Sequence, residues 1–402
     1  MGISRIDFGG TTLIDLTNDS VTPETLDKGI TAHNSAGDQI VGTKEPTIIP
    51  VEKDVNFWDY DGTLLHSYTL DEVQSLTELP PAPTPKKDFL MFQEWNWTLD
   101  ELKTTNEGVD VGATYTTIDG KCHFVVEIVS LAAATVRLNF YGGANIDWGD
   151  GTNESTVGSG AYVVHNITHT YSSVGLYHIT FDHKTTYKTI GDPEKSIPVI
   201  GDNSTNNQHL VEAYLNQDFS GGLWNGFRNS YNLKYVTIAL PSSERSFSSN
   251  CFYRNYQLRS IVIPRGFIQL GNYMFSECRL LSVICLPRKT KPYNSYESLD
   301  GCQNLKRIFV TEESDTFPKI NYSAVLKCTV KENITKIPTG CFNNCKGMKL
   351  IRFLPNVPPA VANVNAFGNM ATTCIVEVPA ASLETYKTAT NYGTIAAQMV
   401  GV

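Results

Sequence analysis

The chain has 402 residues, 41% of them apolar, and a formal net charge of −9, which leaves room for two to four domains of ordinary globular composition. The acidic balance, with no concentrated basic face, argues against a nucleic-acid partner, and the apolar runs fall far short of the roughly 18 residues a membrane helix needs. The opening Met1-Gly-Ile-Ser-Arg-Ile-Asp-Phe8 has no apolar signal region, so classical secretion is not encoded.

Residues 1–47 begin with short apolar stretches broken by Gly9-Gly10. Thr22 as cap, Pro23 at the first helical position, Glu24 on the dipole, and Leu26 and Ile30 on one face predict a helix. Asn34-Ser-Ala-Gly37 should end it, and Gln39-Ile-Val-Gly-Thr43 reads as a short strand. So small a piece cannot bury a core alone and should pack on a partner chain or on symmetry mates. The stretch Val21 to Thr43 resembles the N-terminal segment of tail proteins from bacteriophages and prophages of Gram-positive gut bacteria. That resemblance implies a virion-attachment segment that joins a distal adhesin to other tail or baseplate proteins.

Residues 48–117 form an adaptor module with a proline-rich linker, Pro80-Pro-Ala-Pro-Thr-Pro85. Its Val55-Asn-Phe-Trp-Asp59-Tyr-Asp61-Gly-Thr is similar to the first motif of haloacid-dehalogenase-type phosphatases, in which the first Asp is nucleophile and the second general acid beside magnesium. The later motifs of that fold do not follow, and the simpler reading is a hairpin with Asp59 to Gly62 as its turn. His66-Ser-Tyr-Thr-Leu-Asp-Glu72, Thr77-Glu-Leu-Pro80 and Trp95-Asn-Trp97-Thr-Leu also resemble the phage tail family.

Residues 118–190 alternate as strands at His123–Val129, Thr135–Phe140, Tyr162–Val164 and Tyr177–Phe181. Ile146-Asp-Trp-Gly-Asp150-Gly-Thr, His169-Thr-Tyr171 and Gly175-Leu-Tyr177 resemble the PKD (polycystic kidney disease) domain, which implies a β-sandwich used as a rigid spacer or carbohydrate-proximal module. Asp147, Asp150 and His169 could form a metal or acid-base cluster; alternatively the acids tie a turn while Trp148 and Tyr171 pack the sandwich.

A polar connector over 191–225 leads into a repeat, Phe-x5-Leu-x2-Val-x-Ile. Copies start at Phe227, Phe252, Phe275, Leu299, Phe342 and Phe367, spaced 25, 23, 24, 43 and 25 residues apart. The 43-residue gap predicts one eroded copy around Phe317 to Val330. Cys278, Cys302 and Cys345 each lie three residues after a start, while Cys251 and Cys341 directly precede one. A fixed register implies small core-filling side chains. Zinc would need CxxC pairs or interleaved His, so neither a metal nor a cofactor is expected. An odd cysteine count suits reduced thiols in a protein assembled in cytoplasm.

The repeats resemble the leucine-rich repeats of BspA-like bacterial surface proteins, and Val378-Pro-Ala-Ala-Ser-Leu-Glu-Thr-Tyr386 resembles how those arrays end. The implied solenoid occupies 191–402, with Leu383, Tyr386 and Tyr392 in a terminal cap. The expected fold is therefore mainly β and multidomain: a small anchor, a PKD-like sandwich and a leucine-rich-repeat solenoid.

The expected function is a non-enzymatic tail-tip adhesin on the distal virion, binding a host-surface glycan or protein and assembled as a homotrimer, without membrane insertion. Alternatives are a tail-associated depolymerase or phosphatase, or a bacterial surface adhesin. Aromatic residues that break the apolar register, Trp224, Tyr253, Tyr256, Tyr293 and Tyr296, are the candidate receptor contacts. The least regular units, Leu299 to Val330, are a further place to expect a departure used in binding.

Overall fold

The computed structural model describes residues 5–8, 11–16, 21–23, 31–41, 52–141, 143–156, 164–184, 199–200, 208–216, 226–247, 249–292, 296–311 and 313–402. They divide into two units, Met1–Val51 and Glu52–Val402. The first holds two antiparallel hairpins, β1 (Arg5–Phe8) with β2 (Thr11–Asp15) and β3 (Thr31–His33) with β4 (Gln39–Val41). Leu26 and Ile30 of the expected helix lie outside the described residues. Its expected stop, Asn34 to Gly37, is instead the turn of the second hairpin. The Asn34 carboxamide accepts from the backbone of Ala36 and Asp38 at 3.0 and 2.9 Å, and Gly37 supplies the positive φ the turn requires.

In the larger unit, β5 (Val55–Trp58) and β6 (Leu64–Tyr68) form the hairpin expected around Asp59 to Gly62. Thr69 and Thr98 each build a capping box that starts a short helix, α1 (Leu70–Gln74) and α2 (Leu99–Lys103). With β7 (Leu90–Trp95) and β8 (Val109–Thr117) the strands make one mixed sheet in the order β6-β5-β8-β7, β5 running parallel to β8. Phe57, Trp95 and Tyr115 are buried on it.

The next strands are β9 (Cys122–Ile128), β10 (Thr135–Tyr141), β11 (Gly143–Asp147), β12 (Asn153–Thr156), β13 (Val164–Thr170), β14 (Gly175–Lys184) and β15 (Val199–Ile200). They lie in two sheets, with Phe124, Ile146, Trp148, Tyr171 and Phe181 buried. Trp148 and Tyr171 pack as expected, the Tyr171 hydroxyl donating to the Trp148 carbonyl at 2.9 Å. Three of these strands, β11, β12 and β15, were not legible in the sequence, and of the strand expected at Tyr162–Val164 only Val164, the first residue of β13, lies within the described residues.

The connector carries a strand of its own, β16 (Leu210–Tyr214). It pairs antiparallel with β9 and parallel with β17 (Tyr235–Thr237), the strand of the first repeat. The six-stranded sheet β12-β11-β14-β9-β16-β17 thus runs without a break from the sandwich into the solenoid.

Most repeats contribute a turn and a short parallel strand. Ser260–Val262 pairs with Val283–Cys285, and later Lys327–Val330, Leu350–Phe353, Ile375–Val378 and Met399–Gly401 form one ladder. The repeat phenylalanines stack through the core: Phe227 on Phe252 at 5.5 Å, Phe252 on Phe275 at 5.7 Å and Phe342 on Phe367 at 5.4 Å. The cap closes the array with buried Tyr386 and Tyr392, whose hydroxyls donate to Pro355 and Pro359 carbonyls.

The eroded copy exists, but Phe317 does not start it. Four repeat starts donate their N–H to the residue before the next start: Phe227 to Cys251, Phe252 to Met274, Phe275 to Ser298 and Phe342 to Ala366. In the gap it is Ile320 that donates to Cys341, while Phe317 donates to Lys336 on another side of the coil. The starts Leu299, Ile320 and Phe342 are therefore 21 and 22 residues apart. This unit is one residue shorter before its strand than the others, which is why its pattern was lost.

Candidate functional site

A solenoid offers a partner its strand face or its turn edge. The strand face of the first repeats is occupied by residues 52–117 of the same chain. Trp58 packs with Val262, Val283 and Cys285 in one buried cluster. Gly112 on β8 is in such close contact that a Cβ there would lie 2.5 Å from Val262 Cγ2 and 2.9 Å from Cys285 Cβ. Buried Asn96 donates from Nδ2 to the carbonyls of Ile263 and Cys285, both at 2.9 Å, and accepts from the Gly112 N–H at 2.8 Å. The Trp97 indole donates to the Leu286 carbonyl at 2.7 Å. The Trp-Asn-Trp run is thus a docking ridge.

The irregular fourth and fifth repeats serve the same contact. No strand forms over 306–310. Phe309 packs edge-on against Trp97 at 5.1 Å, the Arg307 guanidinium donates to the carbonyls of Lys53 and Asp54, and Lys331 pairs with Glu107 at 2.5 Å. The irregular stretch thus packs against the 52–117 module of the same chain.

The acidic motif at 59–61 is consumed by local structure. Asp59 is buried, its Oδ1 accepting from the Tyr115 hydroxyl at 2.7 Å and the Tyr60 N–H at 2.8 Å, with Lys86 3.3 Å from Oδ2. Burial pushes the Asp61 carboxyl up, but hydrogen bonds from Lys86 and Thr63 outweigh it and hold the group below its ordinary range. In the sandwich, Asp147 accepts from the Gly149 N–H and Asp150 from Thr152, so both acids tie the turn.

His169 stacks on Trp148 at 4.8 Å and meets Asp150 at 2.7 Å. Burial pushes Asp150 up, but hydrogen bonds from Thr152 and His169 together outweigh it and bring it down to about 2. A depressed carboxylate stabilises the fold above its unfolded value near 4 and loses that contribution as pH falls toward 2. Acid unfolding followed by tryptophan fluorescence should show a loss between pH 4 and 2 that Asp150→Asn flattens; an unchanged profile in the variant would contradict this.

The turn edge carries the aromatic candidates the structure describes. Two residues after each repeat start the backbone is left-handed: Asn229, Arg254, Glu277, Gly301, Tyr322, Asn344 and Asn369 have φ between +52° and +76°. Asn and Gly tolerate this; Arg254, Glu277 and Tyr322 do so at a cost of about 1 kcal/mol or more each. Tyr253 is half-buried beneath the guanidinium groups of Arg228 and Arg254, at 5.3 and 4.9 Å from its ring centre. Tyr256, also half-buried, stacks on Tyr231 at 4.8 Å and lies under Arg279 at 5.0 Å. The rings pack between neighbouring turns while Arg228, Arg254 and Arg279 stand exposed. The arginines and the recurring left-handed position escaped the sequence reading, although the Asn and Gly at that position carried the signal. Trp224 and Tyr293 lie outside the described residues; Tyr296 opens a short helical turn, Tyr296–Leu299, and its side chain lies outside them too.

The register cysteines do more than fill space. Cys278, Cys302 and Cys345 each donate a thiol to the carbonyl of the preceding repeat start, Phe252, Phe275 and Ile320, at 3.0, 3.2 and 3.1 Å. Burial pushes Cys278 up to about 12, so its thiol stays protonated and unreactive.

Comparison with curated proteins finds no match. Among solved structures the chain is similar to a leucine-rich repeat protein from Bacteroides ovatus ATCC 8483, at 16% identity and a TM-score of 0.24. The match covers 35% of this chain and 43% of that one, so the chain spans less than half of that protein's length. The family described as BspA type leucine rich repeat region (6 copies) matches residues 223–328 and 320–390, and the C-terminal array is therefore built of BspA-type leucine-rich repeats.

Proposed function

We propose that this chain is a binding protein of the bacteriophage tail tip, held by residues 1–47 and contacting the host surface through the turn edge of its repeats. The observation that carries the binding surface is the division of the solenoid: its strand face is closed by residues 52–117 over the first repeats, while the turn edge holds rings and guanidinium groups at the surface. The tail assignment rests on the resemblance of Val21 to Thr43 and of the 66–99 motifs to phage tail proteins. A homotrimer is the assembly we propose for it.

We read the protein as non-enzymatic. Asp59 and Asp61 are bound into the hairpin with Tyr115, Thr63 and Lys86, and acids in the repeats pair with cations, Glu277 with Arg279 and Asp300 with Lys319. Phosphatase or glycan-cleaving activity that disappears in Asp59→Asn or Asp61→Asn would overturn this.

Antibody labelling of purified particles should mark the distal tail; label confined to the bacterial cell surface would favour the bacterial adhesin instead. Tyr253→Ala combined with Tyr256→Ala should weaken adsorption to host cells at least tenfold. Because Tyr256 is stacked between Tyr231 and Arg279, the pair should also lose about 1–2 kcal/mol of stability, read as a Tm lowered by a few degrees. Normal adsorption with a lowered Tm would make both rings purely structural.

A further inference from the structure

We infer that the turn edge takes an anionic glycan, its charge carried by carboxylate or phosphate; this rests on the turn edge being the receptor-facing surface. Arg228 and Arg254 are exposed, and neither pairs with a carboxylate among the described residues. Each guanidinium lies against the Tyr253 ring, which fixes it in place while leaving its N–H fork free for an oxyanion. Less side-chain freedom is then lost on binding.

An open depression lies next in the chain to Arg279. Leu280 follows Arg279 in the chain and, with Arg259, Ser282, Asn304, Lys306 and Ala324, lines an open depression of about 320 Å³. The lining suits a charged sugar: Leu280 and Ala324 for the apolar face of a ring, Ser282 and Asn304 for hydroxyls, Arg259 and Lys306 for anionic groups. Arg259 has no carboxylate partner among the described residues, and Lys306 reaches only Glu52 at 3.6 Å.

The neighbouring acids are already neutralised. Glu277 binds Arg279 at 2.8 Å, and Lys319 reaches Asp300 at 2.7 Å and Glu297 at 3.9 Å. Arg228, Arg254 and Arg259, without carboxylate partners among the described residues on a chain of net charge −9, run against the global charge and form a local feature, not a by-product of composition. Arg254 also occupies a left-handed position, φ +61°, that Asn229, Gly301, Asn344 and Asn369 fill at less cost in other repeats.

The test is binding of the full-length chain, at about physiological salt, to polygalacturonate, poly(glycerol phosphate), neutral dextran and single-stranded DNA. Binding to one or both anionic polymers is expected, the tighter one naming the anion, with dextran at least tenfold weaker. Arg228→Ser combined with Arg254→Gly should weaken that binding at least tenfold with Tm unchanged or raised, since glycine relieves the left-handed strain. Absence of binding to both anionic polymers, equal binding to dextran, or equal binding to DNA would overturn the inference, the last by reducing it to bulk polyelectrolyte attraction. Adsorption to host cells separates the two levels. If it falls in the tyrosine pair but not in the arginine pair, the anionic ligand is wrong and the turn-edge adhesin stands; if it falls in neither, both fail.

Discussion

Asn96→Ala is expected to destabilise the larger unit by about 2–4 kcal/mol. The side chain is fully buried and serves three backbone groups at once: the carbonyls of Ile263 and Cys285 and the N–H of Gly112. Alanine leaves these polar groups short of partners in a water-free contact, and each buried unsatisfied group costs roughly 1–3 kcal/mol. The Cys285 carbonyl keeps a second donor, the Ile263 N–H at 3.0 Å, which is why the total stays below the sum. Gly112→Val should act in the same direction by steric overlap with Val262. Calorimetry of the full chain should show the main transition lowered by about 5–10 °C, and protease should then cut within residues 80–90. A variant within a degree of the parent would mean that the 52–117 module is not stabilised by the repeats.

Phe252→Ala should be as severe and more local. Phe252 lies between Phe227 and Phe275 in the stack and is fully buried, so its removal costs about 3–5 kcal/mol in transfer and cavity terms. In a solenoid each unit contacts only its neighbours, so the damage should spread to the adjoining repeats before the distant ones. Hydrogen exchange should show protection lost over about 227–286 and kept over 342–401. Uniform loss along the array would contradict a nearest-neighbour solenoid.

The repeats were legible because burial recurs at the same offsets from coil to coil, with Leu286 and Ile308 only partly buried, so apolar residues recur there too. Phe227, Leu233, Val236 and Ile238 are all buried, and so are their counterparts Phe342, Met348, Ile351 and Phe353. The pattern failed only where one residue was missing, at Ile320, because a period search sees spacing and not hydrogen bonding. The strands β11 and β12 were missed since they carry few apolar residues, Ala144 and Ile146 alone being buried.

The docking of residues 52–117 could not be read at all. Asn96 and Ile263 are 167 residues apart, and a contact at that separation leaves no periodic trace. Tyr253 and Tyr256, candidate receptor contacts in the sequence, are half-buried between turns. A ring on a solenoid edge can satisfy its hydrophobic demand against the adjacent repeat, and sequence alone does not distinguish that from a ring offered to a partner. The structure shifts attention from the rings to the arginines they hold.

The claim most in need of a direct test is that the turn edge, not the strand face, meets the host. Outside the docked region the later strands leave a second surface, with Ile375 half-exposed beside Leu350 and an Arg352–Glu377 ion pair. Adsorption to host cells should be measured for Arg254→Gly with Arg228→Ser on the turn edge, and for Ile375→Glu with Arg352→Glu on the strand face. Loss of adsorption in the first pair with retention in the second is the expected result. Retention in the first pair and loss in the second, with both proteins folded, would place the receptor on the strand face and contradict it.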